Sequence, residues 1–168
     1  MATYRNKTYV CFDADTDMWA YKFMKGWKNN DRIDFDFHDA HDLNYLRDGS
    51  SEATIKAKLK ERMKSSKLLK VLVGEKTKNL HRFVRWEMEI ALELDIPIVA
   101  VYLNLSRTLD EIVCPPIIRD ELVLHIPYKQ AAMKWAIDNW ITNRKHHRSK
   151  KDNGPIVLTD SLYKELGI

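Results

Sequence analysis

Two runs of this chain, Leu68-Leu69-Lys70-Val71-Leu72-Val73 and Ile96-Pro97-Ile98-Val99-Ala100-Val101-Tyr102, are apolar at nearly every position rather than at every second one. A strand with apolar residues on both faces is stable where both faces are covered, as in a parallel sheet packed between helices. Between the two runs, Arg82 to Leu94 carries Phe83, Trp86, Ile90 and Leu94 at spacings of three and four, the period of a helix with one buried stripe. Strand, helix and strand in that order make a βαβ unit with a right-handed crossover.

The same alternation runs through the rest of the chain. Tyr9-Val10-Cys11-Phe12 predicts a first strand that ends in Asp13-Ala14-Asp15-Thr16-Asp17. Trp19, Phe23, Met24 and Trp27 mark the helix that follows, with Thr16 or Asp17 at its N-cap. Ile33 to Phe37 alternates apolar and polar residues like a half-buried strand, and leads into a polar loop from His38 to Gly49. Ser50 or Ser51 caps a helix over Glu52 to Met63 with Ile55, Leu59 and Met63 on one stripe. Gly74 stops the third strand, Glu121 to Ile126 reads as a fifth, and Lys129 to Asn143 as a helix with Met133, Ile137 and Trp140 inward. Beyond Gly154-Pro155, Ser161 to Leu166 predicts a short closing helix. The expected fold class is α/β: a flavodoxin-like, doubly wound parallel sheet of about five strands with helices on both faces. Residues 1–145 are expected to form this domain, and 146–168 a basic connector with a short C-terminal segment.

At 168 residues, 45% of them apolar and 31% charged, the chain suits one globular domain rather than a disordered tail. Its cysteines, Cys11 and Cys114, suggest neither a disulfide framework nor a zinc motif. No apolar run approaches the roughly 20 residues that span a bilayer. Met1 to Lys7 carries no signal-peptide apolar segment, so a cytoplasmic protein without membrane contact is expected. The net charge of +4 comes from one run, Arg144 to Lys151 (RKHHRSKK). An even basic face for nucleic acid is therefore not indicated, and a solvated connector is the simpler reading of that run.

In doubly wound sheets ligands bind beyond the carboxyl ends of the strands, where strand order reverses. That rim carries Asp13, Asp15 and Asp17 after the first strand, His38, Asp39, His41 and Asp42 after the second, and Glu87 in the helix after the third. Aspartates there also serve as turn and cap residues, and the His-Asp cluster lacks the spacing of a zinc site. Neither a GxGxxG nor a P-loop motif occurs. Glu89 falls one turn before Glu93 on the wet side of its helix. Glu87 falls one turn after Phe83 and beside Trp86. Spacing leaves Glu87 either solvent-facing or directed to the cleft, where a carboxylate could stabilise a cation forming at a breaking glycosidic bond.

Val10-Cys11-Phe12-Asp13 followed by Asp17, Phe35-Asp36-Phe37 with Asp39, and Phe83-Val84-Arg85-Trp86-Glu87 followed by Ile96-Pro97-Ile98-Val99 resemble the TIR-like family of the Thoeris antiphage protein ThsB, over about Lys7 to Asn104. The resemblance implies a TIR fold and an NAD nucleosidase or cyclase, a hydrolase that splits NAD at its nicotinamide-ribose bond. It implies a signal of the cyclic ADP-ribose type that activates a partner effector, a phage-derived trigger, and homo-oligomers that complete the site. NAD is then substrate, with no further cofactor and no metal. On this reading Glu87 is the catalytic carboxylate, and Phe83 takes the place of the usual tryptophan four positions earlier. Phe12, Asp13, Ala14 and Asp15 line the nucleotide pocket from the first loop, and His38, Asp39 and His41 from the second. Asp13 stands where the family usually has serine. A non-catalytic interaction module, with Trp19, Trp27 or Trp140 exposed, and another N-glycosidic nucleotide enzyme remain the alternatives.

Overall fold

The computed structural model describes residues 7–30, 38–39, 51–80 and 82–168. In chain order the elements are β1 (Lys7–Cys11), α1 (Met18–Lys28), β2 (His38–Asp39), α2 (Glu52–Met63), β3 (Leu68–Val73), α3 (Phe83–Glu93), β4 (Ile98–Tyr102), α4 (Pro116–Arg119), β5 (Val123–Pro127), α5 (Gln130–Ser149), β6 (Ile156–Val157) and α6 (Asp160–Glu165). A single 3₁₀ turn, Thr77–Asn79, lies between β3 and α3. The strands form one parallel sheet in the order β2-β1-β3-β4-β5-β6. The chain thus has the doubly wound α/β architecture of flavodoxin-like and TIR-like domains.

The two apolar runs become β3 and β4, and their successive residues enter two different cores. Leu68, Leu72, Val99 and Val101 pack with Met24 of α1 and Met133 and Trp140 of α5. Leu69, Val71, Val73 and Ala100 pack with Leu59 of α2, Met88 of α3 and Ile118 of α4. Both faces are dry because helices cover both, which is why alternation is missing from these strands. Ser51 caps α2 by accepting a hydrogen bond from the Thr54 amide at 3.2 Å, as its position predicts.

Three features depart from the sequence-based expectation. His38 and Asp39 stand inside a strand, paired with Lys7 and Thr8, and not in a loop after it. β2 is an edge strand, and polar residue types are common in edge strands, so polarity alone does not mark a strand end. The stretch expected to be strand two, 33–37, lies outside the described residues. Second, the basic run does not leave the fold as a connector. It continues α5 to Ser149, because Arg144 and Arg148, one turn apart, both reach Asp95 at the end of α3. Third, the segment after it adds β6 beside β5 and places Leu158 and Tyr163 in the core of the α1–α5 face. A two-residue strand is too short to leave a period in the sequence. Among the described residues no helix is long and apolar enough to cross a membrane.

Candidate functional site

With β1 flanked by β2 on one side and β3 on the other, the chain leaves these central strands in opposite directions. The crevice of a doubly wound sheet lies there, outside the carboxyl ends of β1 and β3. The loops at that end of the sheet run from Phe12 to Asp17 and from Gly74 onward.

Asp13 is committed to its own turn. Its carboxylate accepts from the Asp15 amide at 3.0 Å and from the Thr16 hydroxyl at 2.6 Å, the local closure that makes aspartate a turn residue. Ala14 and Asp15 are exposed at the tip. Asp17 occupies the N-cap of α1, yet its side chain caps nothing. It lies instead across Gly74, where an added Cβ would come within 2.3 Å of Oδ2. The Gly74 amide donates to Thr77 Oγ1 at 2.9 Å, and that hydroxyl turns back toward the Leu72 carbonyl at 3.4 Å. Asp17 is 6% exposed, and its Oδ2 is buried without a hydrogen-bond partner. Burial, and then the neighbouring Asp13 charge, push its pKa upward.

That packing makes a prediction. Gly74→Ala is expected to destabilise the protein by about 1–3 kcal/mol through overpacking. The same change in an Asp17→Ala background should cost markedly less, because the clashing carboxylate is gone. Urea unfolding of the four proteins measures this coupling; equal costs in both backgrounds would disprove the contact.

Glu87 sits on the other side of β1. Tyr9 and Cys11 face α2 and α3, while Phe12 faces the opposite core and stacks on Tyr21 with ring centroids 4.7 Å apart. Tyr9 donates its hydroxyl to Glu87 Oε1 at 2.8 Å. The Cys11 thiol points to the Val84 carbonyl at 3.7 Å. Glu87 is only 4% exposed. Burial raises its pKa to about 7, although the Cys11 thiol and the Tyr9 hydroxyl beside it hold part of that rise back. The same burial raises the Tyr9 and Cys11 pKa values, so both stay protonated beside it. Glu89, two positions on, faces out and pairs with Arg85 at 2.8 Å and Lys56 at 3.6 Å. The two glutamates therefore divide as the helical period requires.

Phe83 opens α3, 39% exposed, with its ring edge-on to Trp86 at 5.5 Å. Trp86 is buried and carries the Lys56 ammonium 5.2 Å from its ring centre. The structure thus gathers Asp13, Asp15 and Asp17 with Gly74 at the carboxyl ends of β1 and β3, and Glu87 with Tyr9 and Cys11 beneath α3. Phe12 is not brought to Glu87. The backbones of His38 and Asp39 lie at the amino end of β1, several residues back from the rim; His41 is outside the described residues. Among the described residues no group of three His, Cys, Asp or Glu side chains could hold a metal ion. Sequence reasoning missed Tyr9 as the partner of Glu87. Alternation in Tyr9-Val10-Cys11 puts Tyr9 and Cys11 on one face, but nothing along the chain says that this face meets Glu87.

The family description "Thoeris protein ThsB, TIR-like domain" matches residues 9–108, from Tyr9 in β1 past the end of β4. The crystal structure of a conserved protein from Enterococcus faecalis V583 is similar over 98% of this chain and 98% of its own, with 16% sequence identity and a TM-score of 0.44. The matched stretch contains every strand and helix that builds the crevice, and covers more than half of the protein. This chain belongs to the TIR-like domain family of the Thoeris protein ThsB.

Proposed function

We propose that the chain is an NAD-cleaving enzyme of antiphage defence, with Glu87 as its catalytic carboxylate. One observation supports this most: a glutamate that could have faced water lies 4% exposed between α3 and β1, held by the Tyr9 hydroxyl at 2.8 Å. Burying a carboxyl costs several kcal/mol unless it is neutralised or paired, so such a group is a candidate for function.

The chemistry follows from its position. In NAD the positively charged nicotinamide leaves with the electron pair of its bond to ribose. The anomeric carbon then becomes electron-poor. An ionised Glu87 beside that carbon stabilises the growing charge, more strongly than in water because the surroundings are weakly polarisable. Attack by water on that carbon gives ADP-ribose and releases a proton. Attack by a nucleophile within the same ADP-ribose unit gives a cyclic product, the kind of signal that would act on an effector protein. Phe83, exposed at the mouth of α3, is placed to stack on a flat heterocycle. The Asp17 oxygen, buried and without a partner, suits a ribose hydroxyl. With Glu87 so covered, substrate reaches it as the first turn of α3 moves or as copies assemble.

The test is product analysis. Concentrated protein incubated with NAD, alone and with lysate of phage-infected cells, should release nicotinamide and ADP-ribose or a cyclic isomer, resolved chromatographically. No release under either condition would favour the second reading, an interaction module. That reading has its own support in Trp19 and Phe23, which expose 47% and 60% of their surface on one side of α1.

A further inference from the structure

Beyond the amino ends of β3 and β4, on the far side of the sheet from the crevice, lies a hollow of about 400 Å³ lined in part by Lys64, Ser66, Lys67, Arg144, Lys145 and Arg148. Five cations line this hollow together with one carboxylate, Asp95. Asp95 sits at the end of α3 in the left-handed region, with φ 58°. It accepts from Arg144 at 2.8 Å and takes both terminal nitrogens of Arg148. Lys64, Lys67 and Lys145 make no ion pair among the described residues.

Helix polarity explains part of this charge. α2 and α3 end at the hollow and the last turns of α5 border it, and each helix end presents roughly half a negative charge. Three such ends together with Asp95 still leave cations in clear excess. Two buried atoms add an independent sign. Ser66 is 5% exposed and its hydroxyl has no hydrogen-bond partner. The Arg144 side chain is 11% exposed, and its Nε likewise has none. Donors left unsatisfied at such burial are uncommon and costly.

We infer that this groove is a binding site for a small oligophosphate-bearing ligand, separate from the crevice, with Asp95 as a built-in anion that holds the arginines in place. Guanidinium forks match phosphate oxygens in pairs, and lysines serve them as point charges. The groove draws on Lys64 and Lys67 as well as on the basic run, and at about 400 Å³ it is a local hollow rather than a track along which a long nucleic acid would lie. A compact polyanion fits better.

The test uses sodium tripolyphosphate titrated calorimetrically into the full chain at constant ionic strength. Saturable one-to-one binding is expected, weakened about tenfold by Lys67→Glu with Lys145→Glu. Ser66→Ala should weaken it about threefold, and Asp95→Asn should tighten it severalfold by removing the internal competitor. Glu87→Gln should bind like the wild type, which separates this site from the proposed NAD chemistry. If the charge reversals prevent folding, Lys67→Gln with Lys145→Gln gives the same reading with a smaller loss. Three outcomes would overturn the inference: affinity unmoved by these changes, sulfate bound as tightly as tripolyphosphate, or a short DNA duplex bound more tightly than either.

Discussion

Glu87→Gln is expected to lower nicotinamide release from NAD by about three orders of magnitude, with KM little changed. The amide keeps the size of the carboxyl, and its oxygen can still accept from Tyr9 Oη, which lies 2.8 Å from Oε1 in the wild type. What disappears is the negative charge that grows in value as the ribosyl carbon becomes positive. Removing one preorganised electrostatic group from a water-poor site costs about 10²–10³ in kcat, and a full charge belongs at the upper end. A loss confined to kcat marks an interaction made in the transition state rather than in substrate binding. The pH profile gives a second readout. Glu87 works ionised and its pKa is raised to about 7, so the wild-type rate should climb as pH rises through about 7 and then level off. The residual rate of the variant should lack that limb. Unchanged turnover in Glu87→Gln would end the proposed role, although the family and the fold would stand.

What could be read from the sequence was whatever depends on neighbours along the chain. Both-face burial of β3 and β4 followed from runs without alternation, and the cap at Ser51 from its place before Glu52. Spacing put Glu89 on the wet side of its helix, where it pairs with Arg85, but it left Glu87 either solvent-facing or turned inward. What stayed hidden depends on residues that meet only in the folded chain. Tyr9 and Glu87 are 78 positions apart, and no periodicity links them. Asp17 reads as a cap and sits at one, yet its carboxylate is drawn across the bare Cα of Gly74 in another loop.

Register was the other loss. Side-chain alternation says which face a strand buries, but not which residue of the next strand lies opposite. The polar residues His38 and Asp39 therefore read as loop, whereas their backbones pair with Lys7 and Thr8. The basic run misled for a related reason. Its charge suggested solvent, while the four-residue spacing of Arg144 and Arg148 is also what lets both close on Asp95.

Stability should respond to pH in a way that the same Glu87→Gln substitution exposes. Two buried groups titrate in opposite senses. Glu87 has its pKa raised from 4.5 to about 7. His125, in β5, has its pKa lowered from 6.5 to about 4 by burial. Its Nδ1 pairs with the Tyr102 hydroxyl at 2.8 Å, and its Nε2 is buried without a partner that could receive a second proton. Each displacement corresponds to about 3 kcal/mol. For Glu87 the unfolded chain gives up its proton first, so its contribution is fully present below pH 4.5 and is lost as pH rises through about 7. For His125 the unfolded chain takes up a proton first, so its contribution is present above pH 6.5 and is lost as pH falls through about 4. Between pH 4.5 and 6.5 the two slopes nearly cancel, and this pair leaves wild-type stability flat there. Glu87→Gln removes one side of the balance. The variant should be more stable than the wild type by about 2–3 kcal/mol at pH near 8, and should lose about 3 kcal/mol on acidification from about 7 to 4. Urea unfolding followed by tryptophan fluorescence across this range measures both. Parallel wild-type and variant profiles would show that Glu87 does not titrate as argued. A variant that is both more stable and inactive would show a carboxylate kept at a cost to the fold, as function requires and packing alone does not.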